Sequence, residues 1–126
     1  MSEAVTLDAF RARIAAHMAA GASLPAVAQM AFGDGGHDAA ENPKPVPASR
    51  TALFHERLRK PCAAIVQISP TEVQATAYID EAELVGAAVS EAALVDTAGN
   101  LIAMKTFAPK HKESDERIEI KLTLRF

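Results

Sequence analysis

The sequence has no tryptophan, one tyrosine, five phenylalanines and a single cysteine, Cys62, among its 126 residues. One cysteine cannot close a disulfide within the chain, and it excludes a cysteine-based zinc site. The apolar share is dominated by alanine, which buries little area per residue, so the core is expected to be thin for its length. A thin core invites help from neighbouring chains, and a homo-oligomer is the expectation. Long apolar runs are also missing. No window approaches the ~18 unbroken apolar residues of a membrane helix, and the N-terminal MSEAVTLDAF is acidic and lacks the apolar stretch of a secretory signal. No membrane partner is expected, and synthesis in the cytoplasm is. Positive charge is diffuse: the net charge is −3. The nearest approach to a basic cluster, Lys110-His-Lys112, runs at once into Glu113, Asp115 and Glu116. Counterion release needs a concentrated basic face. No nucleic-acid partner is therefore expected, and Lys110 to Lys112 reads as a solvated turn.

What is present suits one domain spanning residues 1–126. Residues 6–20, TLDAFRARIAAHMAA, read as an amphipathic helix with Leu7, Phe10, Ile14 and Met18 on one stripe. Thr6 is its expected N-cap, and Gly21 stands where a glycine ends a helix. SLPAVAQMAF (23–32) reads as extended, with Pro25 placing it at a sheet edge or as a lead-in to a strand. GDGG then breaks the pattern, and the prolines of NPKPVPAS (42–49) make an extended linker. Ser49 or Thr51 could cap a second short helix, RTALFHERLRK, carrying Leu53, Phe54 and Leu58 inward. The second half alternates as strands do. CAAIVQISP, EVQATAYID and RIEIKLTLRF each mark two faces, the last most cleanly. ELVGAAVSEAALVD is nearly apolar on both faces, and DTAGN (96–100) is the turn of a hairpin with LIAMKTFAP. Two helices followed by strands predict an α+β fold with a mainly antiparallel sheet and a central hairpin.

Sites of chemistry are scarce. A phosphate-binding P-loop needs a lysine and a helix directly after its glycines. Here Lys44 stands between Pro43 and Pro45, which block such a helix, so Gly33, Gly35 and Gly36 read as a tight turn of positive φ. Asp34, His37, Asp38 and Glu41 offer oxygen and imidazole ligands, but their spacing misses the calcium loop and suits a solvated acidic loop. His55 and Glu56 read as a hydrogen-bonded structural pair. Cys62 reads as a small buried apolar side chain, and no serine sits in a nucleophile elbow. No catalytic, cofactor-binding or metal-ligating residue is expected. Glu91 is the exception that needs a reason, because it interrupts an apolar strand. Either it is buried against Arg50, Arg57, Arg59 or a backbone N–H, or strand alternation turns it outward.

The order of these landmarks resembles the N-terminal domain of phage tail-collar fibre proteins. In that family a helix ending in glycine leads to Gly-Asp-Gly, then a proline-containing stretch and a Leu/Phe-His-Glu element. Here these are Gly21, Gly33-Asp34-Gly35, Pro47 and Leu53-Phe54-His55-Glu56. A glycine-to-alanine series follows, matched by Gly86, Val89, Glu91, Leu94, Asp96, Gly99, Leu101 and Ala103. Lys112 and the final strand to Phe126 complete the match, so the resemblance covers nearly the whole chain. This chain departs from the family in having Ala92-Ala93 where a glycine usually precedes the leucine. Family members usually continue into a long fibre that carries receptor-binding parts; the resemblance here is to the attachment module alone, and receptor recognition is not expected. The resemblance implies a structural component of a phage or prophage tail that attaches fibres to the baseplate by protein–protein binding. It implies phage tail or baseplate proteins as partners, a trimer, and location in the virion tail. The rival expectation is a small-ligand or metal-binding α+β accessory domain with a pocket lined by Asp34, His37 and Asp38.

Overall fold

Residues 4–126 are described by the computed structural model. Along them lie β1 (Val5–Thr6), α1 (Asp8–Ala20), β2 (Val27–Gly33), β3 (Glu56–Pro61), β4 (Ala64–Ser69), β5 (Glu72–Ile79), β6 (Ala88–Asp96), β7 (Leu101–His111) and β8 (Ile118–Arg125). They build a five-stranded sheet of order β1-β7-β6-β2-β3 and a three-stranded sheet of order β4-β5-β8. Every pairing is antiparallel. The described residues are therefore mostly β, with two sheets and one short helix, and the α+β expectation with two helices is corrected.

The second helix is where that expectation fails. Neither Ser49 nor Thr51 starts a helix; residues 49–55 are turns and bends, and Glu56–Pro61 is a strand. It pairs with β2 from Gln29 opposite Pro61 to Gly33 opposite Glu56. As an edge strand it keeps long charged side chains on both faces, which in sequence imitates the polar side of a helix. Pro25 lies before β2 rather than in it. The strand is thus free to sit in mid-sheet between β6 and β3, not at an edge.

Side-chain alternation splits the apolar residues of the large sheet between two cores. Met30, Phe32, Leu94 and Ile102 face the small sheet, meeting Ala75, Ala77, Ile79, Ile120, Leu122 and Leu124 together with Phe10 of α1. The opposite face of the large sheet packs Ala31, Ala93, Val95, Leu101 and Met104 against Leu7 and Leu53. The helix is held only at its start. Leu7, not Thr6, occupies the N-cap position without a side-chain cap, and Thr6 pairs with Ala103 in β1. Gly21 ends it at φ 67°, its N–H donating to the His17 carbonyl. Beyond Ile14 every helical residue is exposed, Met18 at 77%.

The hairpin between β6 and β7 is built on Asp96. Its Oδ1 accepts from the backbone N–H groups of Ala98 and Asn100 at 2.9 and 3.0 Å, and Gly99 turns the chain at φ 86°. Lys110 to Lys112 is not a solvated turn. Lys110 and His111 end β7, and Lys112 is buried, its ammonium donating to the carbonyls of Glu81 and Glu113 at 2.9 and 2.7 Å.

Candidate functional site

Between β2 and β3 the chain leaves the large sheet for residues 34–55, which form no helix or strand apart from an isolated bridge of His37 with Pro43. Loops of such length are uncommon in compact domains and need closing contacts. Glu91 supplies them. It lies mid-β6, opposite Gly33 and Thr106, and is fully buried. Its Oε2 accepts from the backbone N–H of Gly35 at 3.0 Å and of His55 at 2.8 Å, and its Oε1 accepts from Phe54 N–H at 2.7 Å. One carboxylate thus ties the first residues of the loop to its last. Of the two sequence readings the buried one holds, and the donors are backbone amides rather than any arginine. A carboxylate with several backbone donors is well satisfied without a counter-ion.

Ser90 beside it holds the next turn of the loop. Its Oγ accepts from Gly36 N–H at 2.8 Å and lies 2.8 Å from His37 Nδ1. Farther along, the Arg50 guanidinium stacks 3.7 Å from the Phe54 ring centroid and Lys44 Nζ lies 4.8 Å from it. Such cation–π contacts pack the loop on itself. Ser90 was missed in sequence, because a serine in an apolar run carries no signal of what a distant loop will bring to it.

The glycines of GDGG are required for space, not for a left-handed backbone. Positive φ among the glycines occurs at Gly21, Gly86 and Gly99 only, which corrects the tight-turn reading. A Cβ on Gly33 would strike the His55 carbonyl oxygen and stand 2.5 Å from Glu91 Oε2. On Gly35 it would stand 2.9 Å from His55 N, and on Gly36 it would strike the Ser90 carbonyl oxygen. The loop lies so close to β6 and to its own return that no side chain fits between.

Above this buried clasp lies a second one at the surface. Asp34 bonds His55 Nδ1 at 2.5 Å through Oδ1 and accepts from Arg57 at 2.6 Å through Oδ2. Burial pushes the Asp34 carboxyl up, but the bonds and charges of His55 and Arg57 outweigh it and hold its pKa below 3.8. A depressed carboxylate stabilises the fold above its unfolded value, and that contribution is lost as pH falls through the folded one. Asp80 and Glu83 act in the same direction, their carboxyls lowered chiefly by hydrogen bonds from Lys60. Stability is therefore expected to fall below about pH 4. In thermal melts across that range, Asp34→Asn should remove part of the dependence while costing about 1 kcal/mol or less at neutral pH, as partly exposed pairs do.

The remaining landmarks separate into other places. Glu56 does not pair with His55; it holds the Arg59 guanidinium at 2.9 and 3.0 Å. Gly86 donates its N–H to the Lys112 carbonyl at 2.8 Å, so these two landmarks meet at the far end of β6. Leu94 is buried between the sheets. Asp96, Gly99 and Leu101 form the hairpin, where Arg13 of α1 reaches the Leu101 carbonyl at 3.0 Å and Asp96 at 3.6 Å. Ala92, standing where the family has glycine, is buried between Phe32 and Lys105. The rival metal pocket does not assemble: Asp34 holds His55 and Arg57, His37 holds Ser90, and Asp38 Oδ1 accepts from Ala40 and Asn42 N–H. Among the described residues no three histidine, cysteine or carboxylate side chains converge as a metal site would require. Burial raises the Cys62 thiol above 9.0, away from nucleophilic character at neutral pH.

Comparison with known proteins gives a single finding. The family model described as phage tail-collar fibre protein, N-terminal, matches residues 1–125. No curated protein and no solved structure matches the chain.

Proposed function

The chain belongs to the phage tail-collar fibre protein N-terminal family, and from that premise we propose that it attaches tail fibres to the baseplate through protein–protein binding, as one domain over residues 1–126. Membership makes it a structural protein of the phage virion tail. The finer reading rests on one observation, the undefended edge of the small sheet. Natural edge strands are guarded by charge, proline or a covering element. β3 carries Glu56, Arg57, Arg59 and Lys60, and β8 carries Glu119, Lys121 and Arg125. β4, with sequence AIVQIS, has no charge at all, and its other long edge pairs with no strand among the described residues. Ile65, Val66 and Ile68 are each 43 to 53% exposed. Nearby on β5, Val73 joins Phe10, Ile14, Leu24, Leu124 and Phe126 in lining an apolar groove of about 300 Å³.

The occupant proposed for β4 is a second copy of the chain. A head-to-tail contact of this kind closes into a ring when its rotation permits, and a trimer is the closed form that fibre attachment calls for. Light scattering after size exclusion should give a trimer mass for the wild type and a monomer mass for Val66→Lys. The variant should keep its fold by circular dichroism, because Val66 is half exposed in the single chain, and melt lower only by the lost association. A monomeric wild type, or a Val66→Lys variant of unaltered mass, contradicts the reading. Tail particles assembled with the variant should lose fibres when counted by electron microscopy.

A further inference from the structure

Between β7 and β8, where the two sheets part, lies a pocket of about 470 Å³ that the fibre-attachment reading does not use. Its walls are apolar, including Phe107 and Ile120, and three lysines line it: Lys105, Lys110 and Lys121. Lys105 shares a face of β7 with Phe107 and is only 9% exposed, at a position where a leucine or methionine would fill the space without an ionic cost. Among the described residues it has no hydrogen-bond or ion-pair partner. Burial, and then the charge of Lys110, pull its pKa below 10.5.

Among the described residues the only carboxylate lining this pocket is already engaged. Glu119 lies 3.7 Å from Lys121 Nζ and accepts from Tyr78 Oη–H at 3.1 Å. Lys105 and Lys110 thus face the same cavity with no other described residue there to neutralise them. The contrast with Lys112 is one of place: that ammonium is enclosed and held by two backbone carbonyls, whereas the largely buried Lys105 side chain opens its ammonium into the pocket. An ammonium that opens into an apolar-walled cavity is placed to meet an anionic group there.

We propose that this pocket binds a carboxylate borne on an apolar body, the carboxylate meeting Lys105 and Lys110 and the body lying against Phe107 and Ile120. The volume is that of a small-ligand site. Such a group could arrive as a free aliphatic acid or as an acidic residue flanked by apolar ones in a peptide. Two probes distinguish these sources: octanoate, and the blocked peptide Leu-Asp-Leu. Each is titrated into the full chain while the lysine side-chain resonances are followed by NMR, with inorganic phosphate as a third probe.

Saturable shifts of Lys105 and Lys110 by either carboxylate probe below about 10 mM, with the Lys105 pKa rising on binding, are expected. The tighter of the two identifies the source. Lys105→Met should weaken binding at least about tenfold while melting at or above the wild-type temperature, since it replaces an unpaired ammonium with an apolar side chain. Lys110→Gln, at the exposed rim, provides a second loss of affinity in a variant that keeps the core intact. No saturable shift from either carboxylate, tighter binding of phosphate than of both, or unchanged affinity in Lys105→Met overturns the proposal.

Discussion

Glu91→Ala is expected to remove most of the stability of the domain. It deletes the acceptor of three backbone N–H groups, those of Gly35, Phe54 and His55, in a position closed to water. Each donor left without a partner costs on the order of 1–3 kcal/mol, so the variant should lose about 5 kcal/mol. Small domains have only ~5–15 kcal/mol in total, and the melting temperature should fall by roughly 15–20 °C. Glu91→Gln separates packing from hydrogen bonding. Its single carbonyl can keep the two bonds made by Oε2, but its NH₂ then opposes the Phe54 N–H, so about half the loss is expected. Calorimetry and denaturant titration measure both values. An alanine variant that melts within about 3 °C of the wild type would show that the clasp carries little energy.

The same substitution should be visible in the loop itself. Once Glu91 no longer joins Gly35 to Phe54 and His55, the stretch between them is held by Ser90, the surface pair at Asp34 and the stacking on Phe54. Trypsin reports on this directly. Lys44 is followed by Pro45 and resists cleavage, whereas Arg50 is followed by Thr51. Arg50 is protected in the wild type by its bond to the Ala52 carbonyl and its place over the Phe54 ring. In Glu91→Gln, which keeps most of the fold, the cut after Arg50 should appear well before any other. A cleavage rate equal to that of the wild type would separate Glu91 from loop closure.

How much of this could be read in advance depended on whether the deciding partner was near in sequence. The Asp96 to Asn100 hairpin and the strict alternation of Ile118 to Arg125 were legible because turn chemistry and strand period are local. So was Gly21, whose left-handed conformation follows from ending a helix. The segment from Arg50 to Lys60 misled for the opposite reason. Leu53, Phe54 and Leu58 resemble a helical stripe, and only pairing with Gln29 to Gly33 makes β3 a strand. Glu91 was recognisable as an anomaly but not as a clasp. Its donors lie 36 to 56 positions away and are backbone groups, which leave no mark in side-chain identity. Lys105 passed unnoticed, since a lysine near the middle of a long strand ordinarily points to solvent.

Gly33→Ala and Gly36→Ala should be nearly as damaging as the loss of Glu91, and for a reason that Gly21→Ala tests. At Gly21 nothing lies within 4 Å of the added methyl, and the penalty is only the strain of φ +67°, about 1 kcal/mol. At Gly36 the methyl meets the backbone of Ser90 and comes within 2.8 Å of Glu91 Cβ. At Gly33 it meets the His55 carbonyl and the Glu91 carboxylate. These obstacles belong to a mid-sheet strand and to the loop's own return, so neither can retreat without breaking pairing, and a cost of about 3 kcal/mol or more is expected. Melting temperatures should rank Gly21→Ala well above the other two. Comparable losses at all three would mean that the neighbours of Gly33 and Gly36 yield to a methyl group and that proximity does not select glycine there. The double variant of Gly33→Ala with Glu91→Ala sharpens the test. Because the methyl and the missing carboxylate open the same clasp, their costs should fall short of additivity by at least about 1 kcal/mol; strict additivity would place the two residues in separate structures and dissolve the clasp as a unit.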